Sequence, residues 1–228
     1  ERARVRMHAA NYLLPEILRC DPFAGHSLIL ALQQQVDIPC DRRQWGLINV
    51  CLHVRLQGLV GGDISSTEKP GSLSQDEVQS MCTSGDVDLR LTALTVLTAS
   101  QQKGATFKEI ELKVLHNTLV HSIKASDPAL QQQLQRVIKT FLTRLLESNR
   151  MSSKSAKKIE DSMKRNGTEK NSLPAETLAL LEGAEKARRA CEEGLVFVAS
   201  LIQESLYPGT VSDKETVALD IFNTVLDI

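Results

Sequence analysis

The chain has 228 residues, with 27 Lys and Arg against 28 Asp and Glu, for a net charge of −1. That balance excludes bulk charge as a guide to partners, so any electrostatic signal must be local. Hydrophobic residues make up 42% and aromatics only 4%, which allows a continuous core but favours Leu/Ala-rich helical stacks over sandwiches and barrels.

Helical periodicity dominates along the chain and strand alternation is rare. Residues 2–20 read as a helix kinked or divided at Pro15. Two more helices follow over 22–36 and 42–60. The stretch GGDISSTEKPGSLS (61–74) reads as a polar loop leading into a short helix over 74–83. Next, SGDVDLRLTALTVL (84–97) opens a helix predicted over 86–101, stopping near Lys103-Gly104. Residues 107–124 place Leu112, Leu115, Leu119 and Ile123 on one stripe. Residues 127–148 place Leu130, Leu134, Val137/Ile138, Phe141 and Leu145 on another. A long helix over 175–206 is polar in its first half and apolar at its end. A last helix over 213–228 is expected to turn Val217, Ile221, Phe222 and Val225 inward.

Several of these helices begin at an acidic residue. Asp86, the SD at 126–127, the SD at 212–213 and Asp41 all stand where a side chain can cap free backbone N–H groups. Their spacing is about 41–45 residues, or twice that for the last step, which matches two-helix repeats of the HEAT/armadillo kind. The expected fold is therefore an all-α, HEAT/armadillo-like superhelical solenoid. Arg90 then lies near the edge of the stripe of Val87, Leu91 and Leu94, with its stem over apolar surface and its guanidinium reaching an acidic cap or a preceding helix.

One repeat start is missing near residue 170. In its place stands NRMSSKSAKKIEDSMKRNGTEKNSLP (149–174), rich in Ser and Lys. The expected organisation is helical repeats over 1–148, a basic polar insertion or linker over 149–174, and further repeats over 175–228. Within the insertion a helix over 152–165 would have Ile159 and Met163 as its anchors. Both chain ends fall inside apolar-periodic segments, so a fragment of a longer array is expected.

The five cysteines, Cys20, Cys40, Cys51, Cys82 and Cys191, form no C-x-x-C. Their odd number and wide spacing point to free thiols in a reducing compartment, hence cytosol or nucleus. No signal peptide is recognisable, and the longest apolar run, LVFVASLI (195–202), is too short for a bilayer. Asn166-Gly167-Thr168 therefore reads as a chance sequon.

Chemistry is scarce. His116 and His121 are five apart, so they do not share a helix face, and H-E-x-x-H is absent; no metal site is expected. G-x-S-x-G, G-x-G-x-x-G and the P-loop pattern are also absent, so no catalytic residue, cofactor or small-molecule substrate is expected. The local charge signal is basic: Arg150, Lys154, Lys157, Lys158, Lys164, Arg165 and Lys170 against Glu160, Asp161 and Glu169. Such a cluster can neutralise phosphates, and without interleaved aromatics it does not suggest base stacking. Lys154, Lys157, Lys158, Lys164 and Arg165 are the candidate nucleic-acid contacts; a solvated loop is the competing reading. A second ladder, Glu185–Arg189 and Arg188–Glu192, reads as surface ion pairs on a helix.

Three stretches carry a resemblance: ARVRMHAANYLLPEILRCDPF (3–23), GDVDLRLTALTVLTASQQKGATF (85–107) and LQRVIKTFLTRLLESNRMSSKSAKK (134–158). Together they resemble the tRNA ribose 2′-O-methyltransferase regulator family of large helical-repeat proteins. The resemblance implies a non-catalytic scaffold that partners an FtsJ-like methyltransferase and helps position tRNA for anticodon-loop methylation; with the free thiols, the expected location is cytoplasmic. It assigns no family functional residue to this chain. A protein-binding adaptor in transport or trafficking, with no RNA role, is the alternative on the same architecture.

Overall fold

The computed structural model describes residues 2–35, 37–61, 63–65, 70–102, 104–123, 128–166, 174–206 and 212–226. The fold is all-α. The helices are α1 (Arg2–His8), α2 (Leu14–Cys20), α3 (Ala24–Gln34), α4 (Cys40–Gln57), α5 (Gln75–Cys82), α6 (Val87–Thr98), α7 (Glu109–Ile123), α8 (Pro128–Asn166), α9 (Ala175–Ser205) and α10 (Ser212–Leu226). Two compact units emerge, Glu1–Gln101 with Lys108–Val137, and Gln102–Phe107 with Ile138–Ile228.

In the first unit, α1 and α2 are joined by a π-helical segment, Ala9–Leu13. Pro15 sits in the first turn of α2. It lacks the N–H that residue 11 would need, and its ring crowds that carbonyl, so the preceding turn widens rather than breaks. Helix α6 is the centre of this unit. It packs against α4, α5 and α7. Leu89, Leu91, Ala93, Leu94, Val96 and Leu97 are all buried, so burial runs round the whole helix rather than along one stripe.

The capping residues divide. Asp86 caps α6 as expected, accepting from the N–H groups of Asp88 (3.0 Å) and Leu89 (3.2 Å). Asp41 does not cap: α4 starts one residue earlier, after Pro39, whose carbonyl accepts from the Arg42 and Arg43 N–H groups. The 126–127 position lies outside the described residues. Arg90 is half-buried, as a stem over apolar surface requires, and its buried Nε meets no hydrogen-bond acceptor among the described residues. Ser74 and Glu77 form a capping box on α5, at 3.2 and 3.0 Å, which the S-x-x-E spacing announces.

The 61–74 stretch is more than a polar loop. Its described part holds two short parallel strands, β1 (Ile64–Ser65) and β2 (Leu73–Ser74), with Ile64 and Leu73 buried. The Gln33 amide clamps the backbone beside β2, donating to the Ser72 carbonyl (2.7 Å) and accepting from the Gly71 N–H (3.2 Å). Gly71 has φ 76° and lies against the His26 ring, which a Cβ would strike at 2.1 Å.

In the second unit, α8 buries Ile138, Phe141, Leu142 and Leu145. Its helix runs to Asn166 without interruption, so the segments read separately as 127–148 and 152–165 are one element. No glycine falls within it, and its one proline opens the first turn. Helix α9 buries Ala184, Ala187, Cys191, Gly194, Val198, Leu201 and Ser205, a strict 3-4 spacing. Small residues on that stripe let α9 approach closely. A Cβ on Gly194 would lie 2.3 Å from a methyl of buried Leu145 and 3.3 Å from Phe141, whereas Gly183 faces open space. Gly183→Ala is expected to raise stability by roughly 0.5–1 kcal/mol through backbone entropy. Gly194→Ile should lower it by about 1–3 kcal/mol through overpacking. Urea unfolding of the two variants checks the contrast, and equal effects would contradict this packing.

α10 buries Ala218 and Ile221 against α9, while Phe222 is 45% exposed. The inward face is thus set by Ala218, Ile221 and half-buried Val225, and Phe222 lies about 100° round the helix from Ile221. The side chain of Val217 lies outside the described residues.

Candidate nucleic-acid interface

The helical phase of the end of α8 is set by its half-buried residues. Ser152, Ala156, Ile159 and Met163 recur at steps of four, three and four and form one stripe. Ile159 and Met163, the anchors expected from the sequence, are both half-buried. At about 100° per residue the opposite side carries Lys154, Lys157, Lys158, Lys164 and Arg165 within an arc of roughly 120°. All five side chains are exposed. Among the described residues none of the five has an ion-pair partner. The helix therefore brings together the five residues singled out from the sequence and fixes their spacing along about 16 Å of axis.

Two features of the face were not visible in a count of charges. Arg150 is engaged by Glu147, donating from Nη2 at 2.8 Å and from Nε at 3.0 Å, so it contributes little net charge. Asp161 lies in the middle of the basic arc, three or four residues from Lys157, Lys158, Lys164 and Arg165. The helical phase, read from Ser152, Ala156, Ile159 and Met163, is the signal that locates it. Glu169 and Lys170 lie outside the described residues.

The other charged ladder is self-contained. Arg188 pairs with Glu185 (2.8 Å) and Glu192 (2.6 Å), and Arg189 pairs with Glu185 (3.1 Å), as the spacing on α9 predicts. Hydrogen bonds from Arg188 and Arg189 lower the Glu185 carboxyl from 4.5 to about 2. The linked stability is present above the ordinary carboxylate range and fades as pH falls towards that value. These side chains are open to solvent, so the ladder supports the helix surface and leaves no cation for a ligand.

Three of the five thiols are muted by burial. Burial pushes the Cys51 and Cys82 thiols up to about 12, against the partial opposition of Arg55 at Cys51 and a Thr118 hydrogen bond at Cys82. Burial also raises the Cys191 thiol, against a hydrogen bond with Asn149. Cys20 and Cys40 are exposed free thiols. Iodoacetamide on the native chain is expected to label Cys20 and Cys40 within minutes and to spare Cys51 and Cys82 until urea is added. Peptide mass mapping reads the order of labelling. Among the described residues no group of three or more His, Cys, Asp or Glu could hold a metal ion. No described helix is long and apolar enough to cross a membrane.

No curated protein and no solved structure matches this chain. The family model described as Trm732, TPR repeats, matches residues 1–228. That match spans every helix described above, and its helical repeats agree with the all-α architecture. The chain belongs to the Trm732 family, whose members are regulators of tRNA methylation.

Proposed function

We propose that this chain is part of a non-catalytic, cytoplasmic regulatory subunit that partners an FtsJ-like tRNA ribose 2′-O-methyltransferase. The subunit helps position tRNA so that a ribose in the anticodon loop is methylated. The partner holds the methyl donor and makes the bond. The observation that carries this reading is the family match over the whole of residues 1–228. The repeat subtype, expected as HEAT/armadillo and described as TPR for the family, does not alter it, because both stack helix pairs into extended binding surfaces. In this reading Lys154, Lys157, Lys158, Lys164 and Arg165 attract tRNA phosphates, and the enzyme docks elsewhere on the same subunit. Binding both raises the effective concentration of tRNA at the active site.

The test is tRNA ribose methylation by the purified methyltransferase, with and without the full-length subunit. Methylation is expected to rise at least tenfold when the subunit is present. Methylation independent of the subunit, together with retention of a protein partner but not of tRNA, would instead favour the adaptor reading.

A further inference from the structure

The basic face of α8 has the form of a grip for one kind of RNA surface. Its cations sit on one uninterrupted helix, so their spacing is fixed before any ligand arrives. Between Phe141, which is fully buried, and Phe197 the sequence holds no aromatic residue. The face therefore offers no ring on which an unpaired base could stack. Recognition of unpaired RNA leans on such rings, whereas double-helical RNA is held through its regular phosphates and shape. The Ser153 hydroxyl donates to Asn149 (3.2 Å) and the Ser155 hydroxyl to the Met151 carbonyl (3.2 Å), while Ser162 is exposed at the edge of the basic arc. The arc that meets a ligand is dominated by ammonium and guanidinium groups, with Asp161 among them.

We infer that Lys154, Lys157, Lys158, Lys164 and Arg165 grip the phosphate backbone of a base-paired RNA arm, independently of sequence, and do not touch the unpaired anticodon loop. The inference rests on the reading of this chain as part of a tRNA-binding subunit and names the part of the tRNA that this face meets. The loop is left to the methyltransferase.

Fluorescence anisotropy of the 228-residue chain decides the matter, using a 16-base-pair RNA duplex and a 16-nucleotide unpaired RNA, each at several salt concentrations. The duplex is expected to bind at least tenfold more tightly than the unpaired strand. Changing Lys154, Lys157 and Lys158 to Gln should weaken duplex binding and flatten the slope of log Kd against log salt by about 2–3, one phosphate contact per residue. Asp161→Asn should tighten the duplex about two- to fivefold by removing the central negative charge. Circular dichroism checks that the variants stay helical, which exposed substitutions should not disturb. Equal or tighter binding of the unpaired strand would overturn the inference. An unchanged salt slope in the Lys variant would overturn it too. The methylation assay stands apart: stimulation lost with duplex binding intact would count against the regulatory reading and leave the grip in place.

Discussion

Replacing Arg55 with Met is expected to destabilise the first unit by about 3–5 kcal/mol, the largest single effect foreseen here. Arg55 on α4 meets Glu111 on α7 through Nη2 and Oε1. The two side chains are 13% and 2% exposed, so this is a buried pair. The second carboxylate oxygen of Glu111 accepts from the Lys108 N–H (3.0 Å), tying the carboxylate to the start of α7. Without the guanidinium, the Glu111 carboxyl would stay buried with its charged partner gone, and that desolvation penalty outweighs the lost attraction itself. The double variant Arg55→Met/Glu111→Leu should recover more than half of the loss, because it removes both charges together. It would still leave the Lys108 N–H short of an acceptor. Urea unfolding of the singles and the double gives the coupling directly. A loss below about 1 kcal/mol for Arg55→Met would show that water reaches Glu111.

The second large effect is expected at Arg144, a charged residue 6% exposed inside the second unit. Its Nε donates to the Ala105 carbonyl (2.8 Å) and its Nη2 to the Thr106 carbonyl (3.0 Å). The guanidinium also lies 3.9 Å over the Phe107 ring, which packs edge-on against Phe141 at 5.4 Å. One side chain thus anchors the 105–107 stretch to α8. Its planar fork is what lets it serve two carbonyls and a ring at once. Arg144→Ala should cost about 2–4 kcal/mol by orphaning both carbonyls and opening the space over Phe107. Arg144→Lys should recover less than half, since an ammonium cannot reproduce the fork. Full rescue by Lys would mean that charge alone, rather than the fork, holds the segment.

Helix content, the order of helices and the main apolar stripes were legible in the sequence, because a 3.6-residue period in Leu, Ile and Val registers directly which face is buried. Leu115, Leu119, Leu134, Ile138, Phe141 and Leu145 are buried as that period requires. The cluster of basic residues over 150–165 was legible as well, whereas its alignment on one face came from the continuous run of α8 to Asn166. Other features depended on neighbours far along the chain. The buried stripe of α9 is carried by Ala184, Ala187, Cys191 and Gly194, whose small side chains give a weak periodic signal and acquire meaning only against Leu145 and Phe141. Phe222 looked inward by hydrophobicity, yet α9 meets the adjacent face with Ala218 and Ile221.

The same limit applies to charge. The sequence by itself determined which residues are ionisable, and the i, i+4 rule paired those that share one helix, as with Glu185 and Arg189. It could not pair Arg55 with Glu111, because their neighbourhood is created by the packing of α4 and α7 and leaves no local trace. Nor could it place Arg144 under the carbonyls of Ala105 and Thr106. Local periodicity decides which face of a helix is apolar; only the tertiary structure decides which distant group stands opposite a buried charge.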